Sequence, residues 1–239
     1  MKLIADLHTH TLVSGHAYGT IRENTAAAKE AGLSILGITE HGPRIPGAPD
    51  PIYFRNMGNV PRYIYGVMVL MGCELNILND GTVDLEPNTL SRIDYGIAGI
   101  HRLCYKDEGK EKNTENVISA MKYGKVKLIS HPDDDHTPLD YDRLTDGAKE
   151  YGTALEVNNS SFRKPQFRLN CVENYRTMLR YCKEKHVPVI INSDAHDPSQ
   201  VGTQSLALAF CEECGMPEEL ILNTDAQRLL DFLNITDKR

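Results

Sequence analysis

Nine residues of this 239-residue chain are of types, and recur at positions, that metal chemistry needs. The first two are His8 and His10, which close a short apolar lead, Leu3-Ile4-Ala5. Side chains alternate along a strand, so two histidines spaced by two share a face. Two imidazoles converging at a strand end supply half of a metal site. Alone, such a pair is more often two hydrogen-bonded histidines on a polar strand end. Recurrence changes that reading. Other short apolar runs lead into His41, Glu74, His101, His131, and Asp194 with His196. His16 follows in the loop after the first run, close enough to fold back over the same face. One catalytic zinc needs about three protein ligands and an open position. Nine candidates therefore point to two or three metals, above all if a carboxylate bridges two of them. Imidazole with carboxylate suits zinc, iron or manganese, and composition does not choose among them.

The elements that must carry these residues follow from the apolar pattern. Seven short apolar runs, at residues 2–7, 34–38, 67–72, 95–100, 126–129, 154–157 and 187–191, alternate with helix-like segments. Helices are expected over 21–31, 113–123, 141–151, 171–185, 204–214 and 226–233, the first stopped by Gly32. This alternation is that of βα units and a parallel sheet or barrel. In such a barrel the C-terminal strand ends converge on one face, where active sites sit. Six of the seven runs end in a candidate ligand, which places one shared site on that face. The sixth run ends instead in Asn158-Asn159-Ser160-Ser161, residues that could contact substrate or hold a loop. Residues 43–61 form a long Pro/Gly-rich loop, of the kind that serves as a lid or binding loop. Asn79-Asp80-Gly81 predicts a hairpin turn between short strands at 75–78 and 82–85. One barrel domain over residues 1–239 accounts for the whole pattern.

Composition narrows the class. The formal charge is −7 with 41% apolar residues, which argues against extended nucleic acid or an anionic membrane as partner. No apolar run approaches a membrane span. The N-terminus lacks a signal-peptide core, so a cytoplasmic location and free thiols are expected for the six scattered cysteines. Cys211 and Cys214 have the spacing of half a zinc site but no second pair, and read as helix thiols. The sequence leaves oligomeric state open.

Taken in order, Asp6-Leu7-His8-Thr9-His10, Thr39-Glu40-His41-Gly42, Gly72-Cys73-Glu74, Ala98-Gly99-Ile100-His101, Ser130-His131-Pro132 and Ser193-Asp194-Ala195-His196 resemble the motifs of the PHP (polymerase and histidinol phosphatase) superfamily. The segments Ser14-Gly15-His16-Ala17-Tyr18 and Asn158-Asn159-Ser160-Ser161-Phe162 resemble its YcdX-like metal-dependent phosphatase branch. The resemblance implies a distorted seven-stranded TIM-like (β/α) barrel with three divalent metals, zinc first and manganese or iron as alternatives. It implies one metal on His8, His10, Glu74 and Asp194. A second would share Glu74 and add His101 and His131, and a third would take His16, His41 and His196. Glu40 replaces the usual Asp before the second motif's histidine. A hydrogen bond to a histidine or to bound water is expected of it, and a similar supporting role of Asp6.

The chemistry expected is hydrolysis of a small phosphate monoester. Two cations roughly 3.5–4 Å apart can hold a hydroxide for in-line attack, and the third can hold phosphate oxygens. No side-chain nucleophile is needed. Arg102 and Arg163 follow strand ends and are candidates to bind the phosphate. The acidic segment Asp133-Asp134-Asp135 and His136 are expected to be solvated, and His186 to end a helix where a cation suits the dipole. Rival readings are a nuclease of the same superfamily and an amidohydrolase-type C–N hydrolase, which would leave His16, His41 and Glu74 unexplained. A non-catalytic metal-binding module fits least, because all nine positions are filled. The organic half of the substrate is not written in these motifs.

Overall fold

A computed structural model describes residues 1–236. Its elements run β1 (Ala5–Asp6), α1 (Ile21–Glu30), β2 (Ile35–His41), α2 (Pro51–Arg55), β3 (Tyr63–Ile64) and β4 (Val67–Asn76). Then come α3 (Pro87–Leu90), β5 (Gly96–Gly99), α4 (Lys110–Met121), β6 (Val126–Ile129), α5 (Tyr141–Tyr151), β7 (Ala154–Asn158) and α6 (Asn159–Arg163). The chain closes with α7 (Cys171–Lys185), β8 (Val189–Asn192), α8 (Ser205–Glu213) and α9 (Ala226–Leu233). Seven parallel strands pair in the order β1-β2-β4-β5-β6-β7-β8, and β3 adds an antiparallel edge to β4. The fold is the expected distorted (β/α)7 barrel.

The barrel closes by an unusual seam. Strand β1 is only two residues long, yet the chain beyond it stays beside β8 through a parallel bridge between Thr9 and Ala195. His10 N–H donates to Ala195 O at 2.8 Å. Lower down, amide side chains replace the missing ladder. The Nδ2 of Asn223 and the Nε2 of Gln204 each donate to both Ala5 O and Ile191 O, and Asn192 Oδ1 accepts from Leu7 N–H. Buried carbonyls left unpaired would cost about 1–3 kcal/mol each, so these amides close the gap at little penalty.

Apolar side chains sort into two layers. Leu7, Ile35, Leu70, Tyr95, Ile97, Leu128 and Ile190 fill the interior, and Leu229, Leu230 and Leu233 of α9 join the same cluster. The opposite strand faces, with Leu36, Ile38, Leu75, Ala98, Ile129, Leu155 and Ile191, pack with residues of the surrounding helices. Gly37 admits the Tyr95 hydroxyl, which donates to Leu7 O at 2.7 Å; a Cβ there would stand 2.0 Å from that oxygen. The helices carry their stop and start signals. Thr20 and Glu23 form a capping box on α1, Asp140 caps α5, and His186 ends α7 in the left-handed conformation at φ 58°.

Local expectations needed correction where tertiary contacts supply the order. Residues 43–61 are not an open loop: Asp50 caps α2 with Pro51 at its first position, and Phe54 and Met57 are buried in the core. Of this segment, Ile45 lines the cleft over the histidines described below. The hairpin turn at Asn79-Asp80-Gly81 forms as expected, with Leu78 N–H donating to Thr82 O and Asp84 N–H to Asn76 O. Its arms are not separate strands: the first belongs in part to β4, which runs to Asn76, and the second keeps one antiparallel bridge, Val83 with Ile77. The acidic segment is not a solvated loop. Asp133 is fully buried, and Asp134 and Asp135 accept hydrogen bonds from Leu169 N–H, Asn170 and Asn174. All six cysteines are free thiols.

Candidate metal centre

Glu74 is the centre of the site. It stands near the end of β4, 1% exposed, on the inward-facing side of the strand. Its Oε1 lies 3.2 Å from His8 Nε2, 3.1 Å from His101 Nε2 and 2.9 Å from His131 Nε2. Its Oε2 lies 2.8 Å from His41 Nδ1 and 3.4 Å from His10 Nε2. Five imidazoles from four segments thus converge on one carboxylate. Asp194 approaches from the end of β8, its Oδ1 3.5 Å from both His8 Nε2 and His10 Nε2. The His196 ring lies tilted against His10 at 4.4 Å between ring centroids, and His16 Nε2 lies 3.1 Å from His41 Nε2. All nine expected residues therefore meet on the C-terminal face.

Most of the deep histidines are aimed from behind. His8 Nδ1–H donates to Glu156 Oε1 at 2.8 Å, which leaves Nε2 to face Glu74 and Asp194. His101 Nδ1–H donates to Asn76 Oδ1 at 2.8 Å, and Asn76 Nδ2 donates on to Asp84 at 2.6 Å. His10 uses a relay. Ser14 Oγ donates its proton to Glu40 Oε2 at 2.6 Å, which leaves the serine oxygen to accept from His10 Nδ1–H at 3.0 Å and from His41 N–H at 3.1 Å. Glu40 thus supports a histidine as expected, but through a serine. Hydrogen bonds of this kind fix the tautomer and raise the basicity of the nitrogen facing a metal. Asp6 works on the backbone: it accepts from Ser193 N–H, Ser193 Oγ–H and Gly202 N–H, and so anchors the turn that carries Asp194.

Two residues on this face adopt left-handed backbone without being glycine, His131 at φ 29° and Asp194 at φ 55°. Such conformations cost of order 1–3 kcal/mol each and persist only where neighbours over-determine them. Glu156 Oε2 accepts from His131 N–H at 2.8 Å, and Asn158 Nδ2 donates to Asp194 Oδ2 at 3.1 Å. Gly99 leaves the room: a Cβ there would lie 3.1 Å from His131 Cε1.

Electrostatics follow the packing. Burial opposes charge on His10, yet its contacts with Asp194 and Glu74 hold the ring protonated up to about 9. Burial and that charge together drive His41 down to about 3 and His196 down to about 4. Glu74 and Asp194 stay ionised despite burial because His8 and its neighbours hold their carboxyls well below the usual range.

Whether these residues fit a metal can be judged from what they lack. His8 Nε2, His10 Nε2, His41 Nδ1 and Glu74 Oε2 are all buried with no aligned hydrogen-bond partner. Buried polar atoms are ordinarily satisfied, and four such orphans gathered around Glu74 match the demand of bound cations. Donor atoms of His8, His10 and Asp194 lie within 4.8 Å of one another, as do those of His41, Glu74 and His101, and those of His10, His41 and His196.

Two arginines were expected near the site. Arg102 lines a cleft beside the histidines, whereas Arg163 is exposed at the end of α6. The arginine that reaches the cluster is Arg168, its Nη1 3.2 Å from His131 Nδ1 and 3.7 Å from Asp133 Oδ1. No local pattern marks it, since it follows an irregular turn. Glu156 was also missed, although its signal was present: a carboxylate inside the apolar run Ala154-Leu155-Glu156-Val157, in step with inward-facing Ala154.

Similarities to known proteins span nearly the whole chain. The chain is 39% identical over its full length to a probable phosphatase of Clostridium acetobutylicum, covering 97% of that protein. It is 40% identical over 98% of its length to a probable phosphatase of a Thermoanaerobacter species, covering 95% of it. Histidinol phosphate phosphatase of Lactococcus lactis, solved with zinc, L-histidinol and phosphate, superposes with a TM-score of 0.63. That likeness covers 89% of this chain and 94% of the other at 14% identity, and so concerns the fold. A model of the PHP domain matches residues 6–171, from the strand that delivers His8 to the first residue of α7. With the family's model covering most of the chain and relatives aligned end to end, this chain belongs to the PHP domain family.

Proposed function

We propose that this member of the PHP family is a metal-dependent phosphatase that hydrolyses a small phosphate monoester at a site for three divalent cations, with zinc as the first candidate. The observation that carries the reading is Glu74, with five imidazole nitrogens within 3.4 Å and buried lone pairs unspent around it. In this reading His8, His10, Glu74 and Asp194 hold one cation. Glu74, His101 and His131 hold a second, and His16, His41 and His196 a third. The relatives named as probable phosphatases and the zinc-bound histidinol phosphate phosphatase support it.

Bound cations supply Lewis acidity, activating water and offsetting charge on phosphoryl oxygens. The chain does the rest. Glu156, Asn76 and Ser14 keep the imidazoles aimed, so no reorganisation is needed when charge develops. Arg168 and Arg102 give the open side of the site positive charge suited to a phosphate. The net charge of −7 supports a small substrate over a long nucleic acid.

The test is direct. Full-length protein loaded with zinc should carry three ions per chain by elemental analysis and release phosphate from monoesters. His10→Ala or a chelator should abolish release. Metal-replete protein inert toward a broad panel of phosphoesters would overturn the reading.

A further inference from the structure

The histidine face opens into a cleft of about 370 Å³, a small-molecule size. His41 and His101 line it, so it is continuous with the cluster. Its walls are not those of a polar site. Leu103, 75% exposed, stands in the loop after β5, and Phe167, 59% exposed, stands in the turn after α6. Ile45 and Ile100 continue the apolar lining between them. Large apolar side chains so exposed at the mouth of a charged site invite an explanation, since they gain nothing from water.

Charge in the cleft is one-sided. Arg102 and Arg168 line it, and the carboxylate lining it is Asp134. That carboxylate is already engaged: Oδ1 accepts from the His136 ring at 2.6 Å, from His136 N–H at 3.1 Å and from Leu169 N–H at 3.0 Å. A ligand bearing an ammonium group would meet two guanidiniums and no unengaged acid. A phosphate joined to an uncharged hydrocarbon or aromatic body meets complementary surface throughout: histidines and Arg168 for the phosphate, Leu103 and Phe167 for the body.

We infer that the cleft selects phosphate monoesters of an uncharged, apolar alcohol, with Leu103 and Phe167 as the residues that recognise the alcohol. The inference rests on the phosphatase reading above. Ethyl, hexyl and 6-aminohexyl phosphate share a primary alkoxide leaving group, so differences in kcat/KM among them report the cleft and not the chemistry. With zinc-loaded full-length protein, hexyl phosphate is expected to exceed ethyl phosphate by roughly tenfold or more, since each buried methylene contributes. The 6-aminohexyl ester should fall to the ethyl level or below. In the double variant Leu103→Ser with Phe167→Ser the hexyl-to-ethyl ratio should collapse toward one. Equal values for ethyl and hexyl phosphate, preference for the amine, or an unchanged ratio in the double variant would each overturn the inference while leaving the phosphatase reading standing. Calorimetry with ethyl- and hexylphosphonate separates the two ideas from the other side. Tighter binding of the hexyl compound without turnover of any ester would sustain the cleft assignment and sink the phosphatase reading.

Discussion

The deep and outer halves of the histidine cluster are built differently. The deep half, His8, His10 and Glu74, is 0–1% exposed. Its histidines are backed by a carboxylate directly or through one hydroxyl. In the outer half His196 has a side chain 26% exposed and hydrogen bonds through Nδ1 to Asp194 O, and His16 is exposed with its ring 3.1 Å from His41. Depth thus goes with preorganisation. The inner positions are suited to hold an ion tightly. In the proposed reading the outer ones, of which His16 lines the cleft, would exchange ligands as substrate enters and product leaves.

Substitutions should grade accordingly. Glu74→Gln removes the charge that five imidazoles share, so metal content measured by elemental analysis should fall to one ion or none and phosphate release to background. Glu156→Gln comes next. That carboxylate accepts four hydrogen bonds, from His8, Asn192, His131 N–H and Asn158. Its loss should weaken metal affinity by roughly 10–100-fold, read by competition with a chromophoric chelator; affinity at the wild-type level would refute its aiming role. His16→Ala should remove one ion and most activity yet change stability by only about 0.5 kcal/mol, as exposed sites do. Loss of all three ions in that variant would erase the distinction between the halves. Ser14→Ala should be mildest, about tenfold in affinity, because His10 keeps its contacts with Glu74 and Asp194.

Acidity sharpens the same contrast. In metal-free protein His10 has a raised pKa, so its pairing stabilises the fold fully below about 6.5 and loses that contribution as pH rises through about 9. A cation must displace this proton. Its apparent affinity should therefore climb at least tenfold per pH unit up to about 9, and more steeply because His8, held protonated by Glu74 and Glu156 despite burial, must lose a proton as well. Thermal melts with and without zinc should show metal-induced stabilisation greater at pH 9 than at 6.5. A stabilisation that shrinks over that interval would contradict the assignment of the proton to His10.

Much of this was legible in the chain. The runs 126–129 and 187–191 and the helices 141–151, 171–185 and 226–233 follow from apolar periodicity and caps, and the structure differs from them by at most a few residues. The short helices α2, α3 and α6 were not anticipated, since each is too brief to show a period. The convergence of the nine residues followed from strand ends, because a parallel barrel brings those ends together whatever the loops do.

What local sequence could not decide was which polar group serves which. Glu156 faces a histidine 148 positions away, and Arg168 reaches one 37 positions away. Their partners are chosen by barrel closure and register, not by neighbours in the chain. The amides of Gln204 and Asn223 at the seam are the same case. Residue type and strand-end position, set by the sequence alone, determined which residues meet. The tertiary structure decided how each imidazole is turned, because a tautomer is fixed by the partner behind the ring.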